Sequence, residues 1–399
     1  MIESAIYTDG SRSVRISVDR IDTWLEDHES IINFPGVVEL DGDRLFMTIH
    51  HGRHGGEEPT WAFLSDDAGA TWRRLPNDFP LLSRDARTGL INETHDSGVT
   101  GHLRDGSFVR INHSTEHALS VGYDRARGTY HEQFQEEDPT FRFHRWTGDA
   151  TPIESRPFMV RGIPWDRASY QCYSRLLELD DGDFLTALEW VRIVPESEWQ
   201  TLPNGRVRKT ITSVFIVRSS DRGKSWDFVH AFDAYALKPT YGLADRPLDE
   251  GFNEADLVRL ANDDILCMFR TGSYSPMHMS RSEDGGRTWS TPVNTGWQGV
   301  KPRLELLPNG VLACAAGRGA YGHPQVTHVT LSLDGTGRHW EAPFAFHTGP
   351  GCSYTSTMQR DDRLHVVYSH SDFTREMGTN ELPSQTIRRA VLDISVLDD

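Results

Sequence analysis

Short apolar runs alternate with polar turns along the whole chain. The clearest units have an apolar strand, a turn rich in Asp, Asn or Gly, and a second apolar strand. They lie at residues 36–49, 98–110, 174–188, 256–269, 303–315 and 355–368. This pattern predicts antiparallel hairpins, and no long amphipathic helix interrupts them. Six hairpins at this spacing predict an all-β fold, a six-bladed β-propeller with four-stranded antiparallel blades; a seven-bladed ring is the alternative.

Both ends of the chain are also strand-like. Residues 13–18 and 386–394 each carry a short run of β-forming residues. Pairing between them would complete one blade and remove open sheet edges. We therefore expect residues 1–399 to form a single propeller domain whose ring is closed by its N- and C-terminal strands.

An eight-residue pattern, Ser-x-Asp-x-Gly-x-(Thr/Ser)-Trp, recurs between the hairpins. Three copies lie at residues 65–72, 219–226 and 282–289, and a fourth at 332–340 has one extra residue before its Trp. In each copy we expect the Asp to cap backbone N–H groups, the Gly to supply a positive φ and the Trp to pack beneath the turn. Repeats of this kind indicate an array of similar units.

Composition narrows the classes of partner. The formal net charge of −17 argues against nucleic acid or an anionic membrane. No window approaches the roughly 18 apolar residues of a membrane span. The first residues lack a secretion signal, so we expect a cytoplasmic protein, or a secreted one whose signal is absent from this sequence. Cys267 and Cys314 lie in apolar runs and are expected to be buried free thiols, and no motif indicates a metal or cofactor.

The repeated boxes and hairpins resemble the sialidase superfamily of BNR or Asp-box propellers over essentially the whole chain. This resemblance implies that the boxes lie on the outer rim. It places chemistry at the centre, where the innermost strands begin and end.

Two segments carry the strongest match to the sialidase site. In residues 253–270, Glu254 matches the glutamate that activates the nucleophile, and Arg270 matches a substrate-binding arginine. Tyr354 matches the tyrosine nucleophile. A neutral phenol avoids the repulsion that an anionic nucleophile would meet beside a sugar carboxylate, and sialidases are the tyrosine exception among glycosidases.

Other positions depart from the sialidase pattern. Arg53 matches a second arginine, but Asn33 stands in place of the opening one. The acid/base residue falls at Glu57 or Glu58. The third arginine is missing, with Arg318 close enough in sequence to substitute. Because a bidentate guanidinium clamp is partly lost, we expect a hydrolase acting on a terminal sugar of a glycan, but not a standard sialidase.

One alternative reading is a polysaccharide lyase on the same scaffold. Lyases of this shape use His and Tyr to transfer protons and an Arg to neutralise a uronate carboxylate. His50, His95, Tyr354 and Arg270 could compose such a set.

Two further possibilities stay open. Glu189 ends its strand at the position that Arg270 has in the next hairpin, and with Glu254 it would suit a retaining carboxylate pair. A non-catalytic glycan-binding propeller is the other. Aromatic residues at strand ends, Tyr173 among them, are candidates for stacking on sugar rings. The sequence leaves the sugar, the linkage and the oligomeric state open.

Overall fold

The chain folds as an all-β six-bladed propeller, as predicted. The computed structural model describes residues 3–10, 12–51, 60–76, 98–113, 120–124, 129–133, 141–164, 169–171, 173–193, 196–201, 207–208, 210–234, 250–272, 275–317, 326–349, 354–370 and 385–397. Within these ranges the only named helical element is the 3₁₀ turn Glu196–Glu198. No helix among the described residues is long and apolar enough to cross a membrane.

Each blade is built on four antiparallel strands. Blade 1 consists of Ile32–Glu39, Leu45–His51, Trp61–Ser65 and Arg73–Arg74. Blade 2 consists of Val99–His102, Phe108–His113, Phe141–Trp146 and Pro152–Phe158. Blade 3 is built on Phe184–Ile193, Thr210–Ser219 and Trp226–Phe232. Two short strands, Ser169–Gln171 and Leu177–Glu178, both pair with Phe184–Ile193, and Val160–Arg161 pairs in parallel with Trp226–Phe232.

The second half of the chain forms the more regular blades. Blade 4 consists of Asn253–Arg259, Ile265–Arg270, His278–Ser282 and Val293–Asn294. Blade 5 consists of Val300–Leu306, Leu312–Gly317, Val326–Ser332 and Phe344–Thr348. Blade 6 consists of Thr355–Arg360, Arg363–His370, Gln385–Leu397, Arg12–Asp27 and the outermost Ser4–Asp9. Two short hairpins lie outside the blades, Ser120–Asp124 with Thr129–Gln133 and Gln200–Thr201 with Val207–Arg208.

Blade 6 is made from both ends of the chain. Arg12–Asp27 runs antiparallel to Gln385–Leu397, with a register that extends from Ser13 opposite Leu397 to Asp27 opposite Gln385. The pairing covers an edge that the C-terminal strand would otherwise expose. The ring of blades is closed through this pair of strands.

The hydrophobic core lies between adjacent blades. One cluster packs Phe143 and Phe158 of blade 2 against Phe184 and Trp226 of blade 3. Similar clusters fill the other interfaces because each strand alternates its apolar side chains between the two faces of a blade. Cys267 and Cys314 are free thiols buried in the clusters between blades, as predicted.

The box turns have the geometry predicted for them. In the blade 3 copy, Ser219 Oγ accepts a hydrogen bond from the Gly223 N–H at 2.7 Å. Asp221 accepts from the Ser225 N–H at 2.8 Å and from its hydroxyl at 2.6 Å. The Trp226 indole N–H then donates to the Gly223 carbonyl at 3.1 Å. These local bonds satisfy the turn's backbone groups, so the turn is rigid in its own right.

The box glycines also join each blade to the one before it. Gly223 has a φ of +81°, and a Cβ at this position would lie 2.7 Å from the Phe143 ring of blade 2. The other boxes repeat the arrangement, with Gly69 against Trp24, Gly286 against Leu185 and Gly337 against Leu266. The box is therefore a close joint between blades, and glycine is required for space as well as for conformation.

Substitution of a box glycine tests this joint. We expect Gly223→Ala to lower the free energy of unfolding through left-handed strain of about 1–2 kcal/mol and a further 1–3 kcal/mol of overpacking against Phe143. Gly182→Ala is the matched control, because Gly182 has a φ of +84° but nothing within 4 Å of its Cβ position. Urea unfolding of both variants measures the difference. Equal losses would contradict a close contact at the box.

Candidate active site

Three innermost strands carry the same β-bulge at their inner end. The residue pairs Asn33–His50, Asn253–Arg270 and Val300–Gly317 are each followed by a register shift of one residue. In each bulge the next residue has a positive φ: 53° at Phe34, 49° at Glu254 and 47° at Lys301. A left-handed backbone is unfavourable for these residue types, and such positions cluster at functional sites.

The bulges contribute to a set of inward residues at one level of the propeller. In five blades, one residue lies six positions before the last residue that precedes the hairpin turn between the first two strands. These residues are Phe34, Tyr173, Glu254, Lys301 and Tyr354. They belong to blades 1, 3, 4, 5 and 6. Because the repeat is the same in each blade, these side chains converge on the axis of the propeller. We call these five residues and Arg270 the central cluster.

Tyr354 and Glu254 form a direct hydrogen bond at the centre. The Tyr354 hydroxyl donates to Glu254 Oε1, and both side chains are buried. Arg270 Nη1 donates to the same carboxylate oxygen at 2.7 Å. Glu254 Oε2 accepts from the backbone N–H of Lys301 at 3.0 Å. The three residues that the sequence singled out most strongly are thus brought together.

Arg270 is balanced by a second carboxylate. Its Nη2 lies 2.7 Å from Glu250 Oε2, and Asn253 Nδ2 donates to that same oxygen at 3.2 Å. Burial acts against the charge of Arg270, but Glu250 and Glu254 together raise the pKa of its guanidinium. Arg270 is therefore a permanent cation whose charge is already matched within the protein.

Glu189 lies beneath the bulge of the next blade. Its Oε1 accepts a hydrogen bond from the Glu254 N–H, while its Oε2 has no hydrogen-bond partner. Burial, and then the nearby Glu254 carboxylate, raise the pKa of Glu189 well above its usual value. From the sequence, Glu189 is a possible partner of Glu254 in a retaining pair of carboxylates. In the structure it holds the strained backbone from which the Glu254 side chain projects.

Three residues of the central cluster surround Tyr354. Tyr173 was a candidate for stacking on sugar rings, whereas Phe34 and Lys301 were not assigned to the site from sequence. The Phe34 ring lies 4.6 Å from the Tyr354 ring, centroid to centroid. Lys301 Nζ lies 5.3 Å from the Tyr354 ring centroid and 5.6 Å from that of Tyr173. Counting back from each hairpin turn, rather than from the boxes, would have found all three.

The environment favours protonated Tyr354 in the free protein. Burial, followed by the Glu254 charge, raises the pKa of its hydroxyl well above the usual value. Burial, followed by repulsion from Arg303, lowers the pKa of Lys301 well below that of a free lysine. The phenol therefore keeps its proton in the free protein.

Asn33 and His50 occupy the corresponding positions in blade 1. They are paired across the first two strands, as Asn253 and Arg270 are in blade 4. Both are buried, and the His50 ring lies 6.1 Å from that of Phe34. Blade 1 thus presents an amide and an imidazole where blade 4 presents an amide and a guanidinium.

The rest of the predicted set falls outside the described residues. This applies to Arg53, Glu57, Glu58, His95 and Arg318. Among the residues that the structure describes, no group of three or more His, Cys, Asp or Glu side chains could hold a metal ion.

The middle and later part of the chain is similar to a known domain family. Residues 174–366 match the model of the BNR repeat-like domain. No protein of curated function matches the chain by sequence.

Solved structures extend the likeness to the whole fold of the chain. A protein of unknown function from Dyadobacter fermentans has a TM-score of 0.65 at 16% identity, covering 95% of this chain and 99% of that one. Trypanosoma rangeli sialidase in complex with sialic acid has a TM-score of 0.58 at 12% identity, covering 98% and 59%. The Hadza microbial sialidase has a TM-score of 0.56 at 13% identity, covering 92% and 66%.

These likenesses confirm the predicted resemblance to BNR-repeat, sialidase-like propellers. At such identities they establish the fold. The chain spans about three fifths of the length of the Trypanosoma rangeli sialidase chain.

A cavity lies where the innermost strands enter their hairpin turns. It has a volume of about 440 Å³, and its lining includes Arg175, Glu305, Glu39 and Arg303. Arg175 binds Glu305 through both terminal nitrogens, at 2.9 and 3.3 Å, and Arg303 lies 3.4 Å from Asp256. The charged side chains of this wall form ion pairs between blades, and these pairs connect the blades below the central cluster.

The buried Glu189 carboxyl should make the free energy of unfolding of the propeller depend on pH. Its folded-state pKa is raised, so the stability that the neutral form contributes is fully present below the unfolded pKa of about 4.3 and is lost as the pH rises toward the folded value. Glu189→Gln keeps the acceptor for the Glu254 N–H but cannot ionise. We expect the stability of this variant relative to wild type to increase from about pH 4.5 to pH 8.

Urea unfolding across this pH series measures the effect. Glu189→Ala, which also loses the acceptor, should be destabilised throughout the series. A pH-independent difference between Glu189→Gln and wild type would contradict the raised pKa.

Proposed function

We propose that this BNR propeller is a glycoside hydrolase that acts on a terminal sugar of a glycan, with Tyr354 as the nucleophile and Glu254 as its base. The observation that carries the proposal is the hydrogen bond from the Tyr354 hydroxyl to Glu254 Oε1. A nucleophile and a base within hydrogen-bond reach, with the base oriented by a third group, form the arrangement that covalent catalysis requires. Arg270 is that third group.

The two steps follow from this geometry. Tyr354 Oη attacks the anomeric carbon, its proton passes to Glu254 Oε1, and the glycosidic C–O bond breaks. By the family resemblance, Glu57 or Glu58 protonates the leaving oxygen and later activates the water that hydrolyses the glycosyl-tyrosine bond. The water supplies the hydroxyl of the product, and the tyrosine regains its proton.

The charges around Arg270 support a sugar other than sialic acid. The guanidinium is shared between Glu250 and Glu254, both at 2.7 Å. A cation already matched by two carboxylates is a weak ligand for a third. Asn33 also lacks the charge of the arginine that it replaces by the resemblance, so a carboxylate would gain little at blade 1.

Product analysis separates hydrolysis from the alternatives. A set of 4-methylumbelliferyl glycosides reports hydrolysis through the released fluorophore. A lyase would instead form an unsaturated sugar with an ultraviolet chromophore, and a non-catalytic glycan-binding propeller would form neither product.

Tyr354→Phe tests the nucleophile. We expect kcat on the best glycoside to fall by at least about a thousandfold, because the phenyl ring keeps its packing but cannot form the covalent bond. Tyr368→Phe is the matched control, since Tyr368 is a buried tyrosine whose ring packs on Phe346. Turnover by Tyr354→Phe close to that of Tyr368→Phe would remove Tyr354 from the mechanism.

A further inference from the structure

Asn33 is a buried polar side chain without a hydrogen-bond partner. Its relative exposure is 0%, and neither Nδ2 nor Oδ1 has a partner in the described structure. An amide taken out of water without replacement hydrogen bonds destabilises the folded state. A leucine would fill a similar volume without that cost, so the amide at this position requires another explanation.

The position of Asn33 relates it to the central cluster. The next residue, Phe34, contacts the Tyr354 ring, and its strand partner is His50. By the repeat of the bulge, Asn33 corresponds to Asn253 of blade 4, whose amide donates to Glu250 beside Arg270. Blade 1 thus brings an unsatisfied amide to the level of the site.

We propose that the Asn33 amide binds an uncharged hydroxyl or amide group of the substrate sugar and thereby selects a sugar without a carboxylate at that place. The proposal rests on the proposed function and names the substrate class for the same site. An amide side chain offers one acceptor and two donor hydrogens, which a hydroxyl or acetamido group can satisfy together. A carboxylate accepts only, so it would leave Oδ1 unsatisfied and facing a negative charge.

A second buried amide oxygen favours the same class of ligand. Asn253 Oδ1 also has no hydrogen-bond partner within the described part of the chain, and Asn253 is buried. Two amide acceptors without donors match a ligand with several hydroxyl groups, since each hydroxyl brings a hydrogen. A second anionic group would bring none.

The first test is stability, which does not depend on activity. We expect Asn33→Leu to unfold at a higher urea concentration than wild type, because it removes an unsatisfied amide. The matched control is Asn112→Leu: Asn112 is also buried, but it accepts a hydrogen bond from Arg110 at 3.2 Å, so its loss should lower the midpoint. If Asn33→Leu is destabilised as well, Asn33 has a structural role and the proposal is wrong.

The second test is specificity, with 4-methylumbelliferyl glycosides of neutral hexoses and pentoses, of N-acetylhexosamines and of sialic acid. We expect wild type to cleave a neutral or acetamido glycoside, and Asn33→Leu to lose at least about tenfold in kcat/KM on it. A wild-type preference for the neutral glycosides would indicate that a hydroxyl is bound, and a preference for the N-acetylhexosaminides would indicate that an amide is bound. Asn33→Arg should lose the same activity and gain cleavage of the sialoside.

Other results overturn the proposal. An unchanged kcat/KM in Asn33→Leu, or a wild-type preference for the sialoside, would do so. If wild type cleaves none of the probes, the proposed function fails, and binding of the free sugars measured by saturation-transfer NMR replaces the activity readout. Binding that Asn33→Leu loses would then support recognition by Asn33, whereas equal or absent binding would refute it.

Discussion

A carboxylate from one blade holds the strained backbone of the next, and the site depends on this contact. Glu189 of blade 3 accepts from the Glu254 N–H of blade 4, and Glu254 in turn accepts from the Lys301 N–H of blade 5. Both donors lie in bulges with a positive φ. The buried carboxylates compensate for the strain, and the bulges turn side chains inward that a regular strand would direct between blades.

Both side-chain oxygens of Glu254 are held by other protein groups. Oε2 accepts from the Lys301 backbone, whereas Oε1 faces both Tyr354 and Arg270. Under the proposed function, a base held in this way needs little reorganisation when it receives a proton, and a site that needs little reorganisation lowers the barrier. The same linkage means that a change at Glu254 reaches two other blades.

The sequence predicted the features that repeat locally and missed those that depend on register. The hairpins and boxes carry their own turn chemistry, so the fold, Glu254, Arg270 and Tyr354 could be located by counting. Lys301 and Phe34 were missed because a bulge leaves no mark in the pattern of apolar and polar residues. Asn33 was noticed only as a lost arginine, because sequence cannot show that an amide is buried without partners. The remaining predicted site residues lie outside the described part of the chain: Arg53, Glu57, Glu58, His95 and Arg318.

The contacts of the box glycines all run from one blade to the blade before it in the ring. Every box glycine packs against the preceding blade, including Gly69 of blade 1 against Trp24 in the N-terminal strand of blade 6. That strand has its hydrogen-bonded partner in Gln385–Leu397, which is synthesised after the strands of blades 1 to 5. Blades 2 to 5 can dock in order as they leave the ribosome, but the first long strand must wait for the last one. Closure is thus a late, non-local event in folding, and until it occurs blade 1 lacks the surface on which its own box rests.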